Sequence, residues 1–546
     1  MYKMLPQRFF VFAVCLALFA LSLAMLWDGV LWRWLAAVSG LLVVAGVLDM
    51  AQRKSTLRRN FPITAHFRTF FEYFRPMLRQ YVVESDTEEV PYSHAQRSLV
   101  YQRAKNVEDK RPFGTELNVY AEDYEWINHS LAPARIASHD FRVTIGGDQC
   151  AQPYSASVFN ISAMSFGSLS ANAIRALNEG ARRGGFYHDT GEGSISRYHR
   201  ENGGDICWEI GSGYFGCRAA DGTFDEACFV ENAKTAQVKM IEIKLSQGAK
   251  PGHGGVLPAA KVSAEIAEAR HVPQGVDCIS PAAHSAFSTP LGLLQFVARL
   301  REKSGGKPTG FKLALGHPWE WFGIAKAMQQ SGILPDFIVV DGGEGGTGAA
   351  PLEFTDHVGA PLREALLLVH NTLVGLNLRD KIRIGASGKV ITAFDLARTF
   401  ALGADWCNAA RGFMFALGCI QSQTCHTDRC PTGVATQDPS RWKKLDVPDK
   451  AERVKMFHDN TLKALKELIA ASGLNHPDEI GPEHIIRRVS STEVRSLSAL
   501  YHFVKPGELI GGLPEHAVFK VFWEAARADT FAPPRTVLEQ HHTKTH

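Results

Sequence analysis

The 546-residue chain has almost no excess charge of either sign, with 59 lysines and arginines against 56 aspartates and glutamates. It has no basic stripe interleaved with aromatics, so nucleic acid is not an expected partner. Ten cysteines are too dilute at this length for a disulfide scaffold. No internal repeat appears, so the chain is not read as an array. What is abundant is glycine, 48 residues in a chain that is 45% hydrophobic. That composition suits many tight turns between buried elements, as an enzyme built from βα units requires. The length exceeds what a single core sustains, which predicts one large domain of roughly 250 to 300 residues with smaller additions.

Two apolar runs open the chain, Phe9 to Trp27 and Val30 to Val47, separated by Asp28-Gly29 and interrupted only by Arg33. Each approaches the roughly 20 residues that cross a bilayer as a helix. Lys3 and Arg8 precede the pair, and Arg53, Lys54, Arg58 and Arg59 follow it. By the positive-inside rule this predicts a two-helix membrane anchor with both ends in the cytoplasm, Arg33 snorkelling to the outer interface. A cleaved signal peptide and a buried soluble hairpin are the competing readings. No small-x-small cleavage site follows the first run, and the second run comes at once. The expected divisions are an anchor over 1–50, a wrap over 51–150, the main domain over 151–440 and a helical C-terminal extension over 441–546. The last six residues, His-His-Thr-Lys-Thr-His, read as a solvated tail rather than a metal site.

Within the main domain, β-rich runs alternate with glycine-rich turns and helix-like stretches. The runs are Ser157 to Ala163, Gly185 to Asp189, Met240 to Lys244, Asp277 to Ser280, Gly310 to Leu315, Phe337 to Asp341, Ile382 to Ala386 and Asp405 to Ala409. Eight βα units predict a closed (β/α)8 (TIM) barrel of the α/β class, with its chemistry at the carboxyl ends of the strands.

The sharpest local signal lies just beyond the last strand. Cys419-x5-Cys425-x4-Cys430-Pro431 brings three thiols within twelve residues, the ligand type of iron–sulfur clusters. With no obvious fourth ligand, the spacing fits a three-iron, four-sulfur cluster. A single zinc completed by His426 or Cys407 is the alternative. The loops after the seventh and eighth strands, containing Ser387-Gly388 and Arg411-Gly412, fall where such barrels frequently bind phosphate. A phosphorylated cofactor that exchanges hydride and single electrons beside a cluster is FMN. Gly211 to Gly216 and Gly343 to Gly348 match G-x-G-x-x-G, but neither opens a convincing dinucleotide unit. Their glycines, Gly343 and Gly345 among them, instead let backbone approach the flavin or its substrate. Lys244, Gln247, Lys250 and His253 gather around four glycines at a strand end, with Arg270 and Lys312 as further cations. Lys244 and Lys312 lie inside apolar strands, where an unpaired charge is costly.

Five ordered segments resemble the FMN-binding synthase domain of glutamate synthase: Ser162 to Ser170, His188 to Gly193, Lys244 to Gly255, Gly342 to Pro351 and Cys419 to Gln437. The likeness runs from about residue 150 to 487 and is nearest to stand-alone, membrane-anchored members. The resemblance implies that Met164, Ser165, Thr190, Glu192, Gln237 and Lys244 contact the flavin ring. It likewise implies that Ser387, Gly388, Arg411 and Gly412 hold its phosphate and that Cys419, Cys425 and Cys430 ligate the cluster. Gln247, Lys250 and Arg270 would hold the carboxylates of a 2-oxoglutarate-type acid. The implied reaction is reduction of 2-iminoglutarate, formed from 2-oxoglutarate and ammonia, to glutamate.

The chain departs from that family where the large enzyme has an N-terminal cysteine glutaminase and a trailing β-helix. Ammonia and electrons are therefore expected from an amidotransferase partner and an electron-donor protein. His253 replaces a usual glutamate, and Ser280 to Phe287 also differs, both expected near the substrate pocket. These changes leave two alternatives open: an oxidoreductase for another amino or oxo acid, and a membrane-bound electron relay.

Overall fold

The computed structural model describes residues 7–52, 55–88 and 91–534. Lys3, Arg53, Lys54 and the tail histidines lie outside the described residues. The chain forms two compact units, 1–94 and 95–546.

In the first unit, α1 (Phe10–Ala24) and α2 (Val30–Ala51) pack against each other as a hairpin. Among the described helices only α2 is long and apolar enough to cross a membrane, while α1 is apolar but shorter, at 15 residues. After a five-residue helical turn at Thr56–Asn60 comes a longer helix, α3 (Thr64–Leu78).

The second unit is built on a closed barrel of eight parallel strands: β1 (Phe159–Ile161), β2 (His188–Asp189), β3 (Ile206–Ile210), β4 (Val238–Lys244), β5 (Thr309–Leu313), β6 (Phe337–Asp341), β7 (Arg383–Ser387) and β8 (Trp406–Ala409). Each strand pairs with the next, and β8 closes on β1 through Cys407↔Phe159 and Ala409↔Ile161. Helices return the chain between strands: α4 (Ala171–Gly184) after β1, α6 (Pro290–Lys303) before β5, α7 (Pro318–Ser331), α8 (Leu362–Gly375) and α9 (Ala393–Ala401). An insertion between β4 and α6 carries a further helix, α5 (Ala264–Arg270). After β8 come a short helix, α10 (Arg411–Ala416), and the 25-residue α11 (Val447–Ala471). The local signals are ordinary ones. Ser170 caps α4 by accepting from the Ala173 amide, and Gly185 ends that helix with φ 70°. Asp446 caps α11, whose buried stripe of Val454, Phe457, Leu462, Leu465 and Ile469 keeps helical spacing.

Two expected strands change. Ile206–Ile210 is the third barrel strand, which the sequence reading passed over. The stretch Asp277 to Ser280 is not in the barrel: Cys278–Ile279 pairs antiparallel with Val256–Leu257 inside the insertion. The cause is the β2-to-β3 crossover, which contains only the four-residue helix Arg197–Arg200. A search for strands separated by full helices skips such a strand. Because one strand enters and one leaves, β6, β7 and β8 keep the ordinal places assigned to them.

The segments flanking the barrel belong to the same compact unit. Glu125–Ile127 pairs with Ile485–Arg488, which pairs in turn with Val494–Ser496, so the region before the barrel and the region after α11 share one antiparallel sheet.

Candidate active site

The carboxyl ends of β1, β2 and β4, together with the insertion, converge on four charged groups. Lys244, the last residue of β4, places Nζ 2.9 Å from Glu192 Oε2 and donates to Gln247 Oε1 at 2.5 Å. His284 donates from Nε2 to the Lys244 carbonyl at 2.8 Å and lies 3.2 Å from the Tyr214 hydroxyl, which fixes the strand end. Burial pulls the His284 pKa down to about 4, so the ring is neutral at pH 7. Arg270, delivered by α5, donates to the Phe166 carbonyl at 3.0 Å, approaches Ser165 Oγ at 3.5 Å and lies over the Phe215 ring at 5.1 Å.

Lys250 and Arg270 are both buried here. Lys250 is 5% exposed, and its ammonium has no hydrogen-bond acceptor among the described residues. Burial lowers its pKa, Glu192 opposing and Lys244 assisting. The buried Nε of Arg270 likewise lacks a partner. Buried polar groups are normally satisfied, so the Arg270 Nε marks where a ligand with an acceptor would fit. Burial alone would raise the pKa of Glu192, but Lys244 chiefly, with Lys250 and Arg270, brings it down to about 2. The result is three cations around one ionised carboxylate.

Below this mouth the barrel interior is polar. Lys312 is buried with Glu209 Oε2 against its ammonium and Glu242 Oε1 at 3.3 Å. Lys312, expected among the cofactor-binding cations, is thus held by two glutamates inside the barrel. Burial, then Glu209, pushes the Asp189 pKa up to about 7, with Lys312 opposing. Burial raises Glu242 well above the carboxylate range despite Lys312. Asp341, at the end of β6, accepts from the Ser387 hydroxyl and from the Gly248 amide at 2.7 Å, joining the β4, β6 and β7 loops.

The remaining predicted residues fall at three places. Met164, Ser165, Thr190 and Glu192 all lie at the mouth, where Gly191 holds φ 63° and a Cβ on it would come 2.7 Å from the Ser165 amide nitrogen. Thr190 is tied down, its Oγ1 donating to the Gly191 carbonyl and accepting from the Glu209 amide. The glycine loop after β6, with Gly343 and Gly345, meets the ends of β7 and β8: Gly342 donates to the Ser387 carbonyl, and Arg411 donates to the Thr347 carbonyl at 2.8 Å. A Cβ on Gly388 would stand 3.1 Å from Leu362, and one on Gly412 3.2 Å from Phe457, so glycine allows these loops to pack closely. Gln237 is elsewhere. It precedes β4, donates to the carbonyls of His199 and Gly204, and lies roughly 23 Å from Lys244 at about 3.3 Å per strand residue. Strand polarity puts it at the opposite end of the barrel, which corrects its expected flavin contact.

The three cysteines stand behind β8. Cys430 is enclosed by the Thr432 hydroxyl and by the amides of Ala435, Thr432 and Val434; burial opposes, but these donors lower its pKa, as a thiolate ligand requires. Arg411 places NH1 3.7 Å from Cys425 Sγ. Cys419 is pushed up to about 11 by burial. Cys407 points away toward α9, beside Thr399, and is no fourth ligand for this loop. Zinc at about 2.3 Å from each sulfur would hold its ligands within about 4 Å of one another. Among the described residues only Asp189, Cys207 and Glu242 bring three ligand atoms within 4.8 Å, and the Cys419 loop is not so contracted.

His253 is exposed and bonds its own neighbour, the Gly254 carbonyl, with its ring against Phe354. It sits at the rim rather than in the pocket. Sequence reasoning missed Tyr214, Glu209, Glu242, Asp341 and the role of His284. A signal for the two glutamates existed: Glu209 and Glu242 each interrupt an otherwise apolar stretch of a β-rich run, where an unpaired charge is costly.

The conserved region in glutamate synthase matches residues 117–475. The glutamate synthase large subunit-like protein YerD of Bacillus subtilis is 36% identical over 515 residues, 86% of this chain and 98% of that protein. The archaeal glutamate synthase [NADPH] of Methanocaldococcus jannaschii is 37% identical over 316 residues, 58% of this chain and 59% of its own length. Its counterpart from Thermotoga maritima is 35% identical over 333 residues, 61% and 62% of the two chains. Among solved structures, a flavocytochrome b2 mutant with sulfite bound aligns with 82% of this chain and 92% of its own at 12% identity and a TM-score of 0.40, too loose a likeness to inform the site. The matched family and these relatives place this parallel barrel in a class of oxidoreductases. Within it, the chain belongs to the glutamate synthase family.

Proposed function

We propose that the chain reduces 2-iminoglutarate, formed from 2-oxoglutarate and ammonia, to glutamate, using FMN at the barrel mouth and an iron–sulfur cluster on the Cys419 loop. The observation that carries this reading is the charge of the mouth. Lys244, Lys250 and Arg270 surround the single carboxylate of Glu192, and the buried Nε of Arg270 has no partner. A dianionic, planar oxo acid of the 2-oxoglutarate type matches both the net charge and the missing acceptor.

The residues fit the two groups. The flavin ring would lie against Met164, Ser165, Gly191 and Lys244, and its phosphate in the cradle of Ser387, Gly388, Arg411 and Gly412. The amide-lined Cys430, with Cys419 and Cys425, suits a three-iron cluster. When bound, FMN supplies the hydride and the cluster supplies electrons singly. The chain's own part is to bind and orient. Lys250 and Arg270 hold the substrate carboxylates, and Gln247 is fixed by Lys244. Glu192 pairs with Lys244 beside the ring edge, and the buried mouth limits water.

Electrons come from a separate donor protein, and ammonia from solution or a separate amidotransferase. The hairpin of α1 and α2 anchors the protein in the cytoplasmic membrane, with the catalytic unit on the cytoplasmic side.

The test is glutamate formation by detergent-solubilised full-length protein under a chemical reductant, with 2-oxoglutarate and isotopically labelled ammonium. Labelled glutamate that requires both supports the proposal. Flavin and cluster reduction with no ammonium-dependent product overturns it in favour of an electron relay or a different oxo acid.

A further inference from the structure

Helix α3 presents an apolar face that is exposed among the described residues. Phe67, Phe70, Phe71 and Tyr73 are 64%, 55%, 59% and 68% exposed, and Phe74, Met77 and Leu78 are exposed as well. At about 100° per residue, Phe67, Phe70, Phe71, Phe74, Met77 and Leu78 fall within an arc of about 120°. Arg68, Glu72, Arg75 and Arg79 fall together in an adjacent arc of about 60°. The Phe70 and Phe74 rings contact each other at 4.6 Å along the apolar stripe. Arg68 pairs with Glu72 at 3.6 Å and Arg79, the residue after the helix, with Glu88, so this side carries three arginines against two carboxylates.

What covers this face follows from where the helix starts. Asp49, buried in the last turn of α2, accepts from the Ile63 amide at 3.0 Å and from His66 Nε2 at 2.9 Å. The first turn of α3 is thus bonded to the end of the helix long enough to span a bilayer. A helix leaving that point with an aromatic stripe and a basic flank has the pattern of helices that lie in the headgroup region.

We infer that α3 is an interfacial helix, with the Phe67, Phe70, Phe71 and Phe74 face sunk into the acyl boundary of the leaflet from which α2 emerges and Arg68, Arg75 and Arg79 among anionic headgroups. This rests on the membrane reading of α1 and α2. It adds a second, in-plane attachment, which holds the chain at the lipid surface before the catalytic unit begins.

The test uses the full-length protein in vesicles of phosphatidylcholine and phosphatidylglycerol containing a phospholipid with a diazirine on its acyl chain. After photolysis, adducts are mapped by mass spectrometry. The expected result is label on Val30–Ala51 and on Phe67, Phe70, Phe71, Phe74 and Leu78, with Glu72 and Arg75 unlabelled. Label on α2 but none on residues 64–78 overturns the inference, leaves the anchor intact, and assigns the face to a protein partner or a second copy. Label spread evenly around α3 also overturns it. No label on either helix removes the anchor itself, and the inference with it.

Discussion

Substituting Glu192→Gln removes the one carboxylate that faces Lys244, Lys250 and Arg270. Its pKa of about 2 against an ordinary 4.5, at about 1.4 kcal/mol per pH unit, corresponds to about 3 kcal/mol of preference for the ionised form. The side chain is 17% exposed, so solvent screening discounts this only slightly. Unfolding entropy of about 2.1 cal/mol/K per residue, over the unit of residues 95–546, gives about 0.95 kcal/mol/K, so the loss lowers Tm by about 3 °C at pH 7. The sign with pH follows from the direction of the shift. A folded pKa below the unfolded one stabilises fully above about pH 4.5, and the contribution is lost as pH falls toward 2. The gap in Tm between wild type and variant should therefore be constant from pH 7 to 5 and close below 4.5. Scanning fluorimetry across that range measures it. An unchanged Tm at pH 7, or a gap that widens on acidification, would refute the convergence of three cations on Glu192.

Four further outcomes follow from the site. Lys250→Met and Arg270→Gln should each lower kcat/KM for 2-oxoglutarate about 100-fold, the loss of about 3 kcal/mol expected when a charged hydrogen bond disappears, while flavin content stays at the wild-type level. Cys430→Ser should lose iron but keep the far-ultraviolet dichroism of the barrel, because the loop lies outside the eight strands. Lys261, buried and donating to the Cys425 carbonyl at 2.8 Å and the Ala435 carbonyl at 3.4 Å, places a positive charge beside the cysteine loop; Lys261→Gln should lower the midpoint potential of the cluster in an EPR-monitored titration, and Lys261→Arg should restore it. Gly191→Ala puts a Cβ 2.7 Å from the Ser165 amide at φ 63°, at a cost of about 1–3 kcal/mol, and should reduce bound flavin on purification.

Where local chemistry set the structure, the sequence was a good guide. Phe337 to Asp341 was bounded correctly because a run of buried apolar residues is stopped on one side by Pro335-Asp336 and on the other by Gly342-Gly343. The loops after β6, β7 and β8 were likewise legible from glycine. What failed depended on partners far away in sequence. Ile206–Ile210 escaped because its crossover lacks a full helix, and Cys278–Ile279 misled because a short apolar run does not reveal whether its partner is parallel or antiparallel. The polar barrel interior was unexpected, since Glu209 and Glu242 are explicable only once Lys312 is seen between them. Arg270 reaches the mouth from an insertion whose path no periodicity predicts. Gln237 was placed by likeness of sequence, and strand direction puts it at the other end of the barrel.

The most direct test of the central claim is the absorbance spectrum and metal content of full-length protein purified without oxygen. The account predicts flavin bands with about three iron and four sulfide per chain, the content of a three-iron cluster. Zinc in the cysteine loop and no flavin would contradict it.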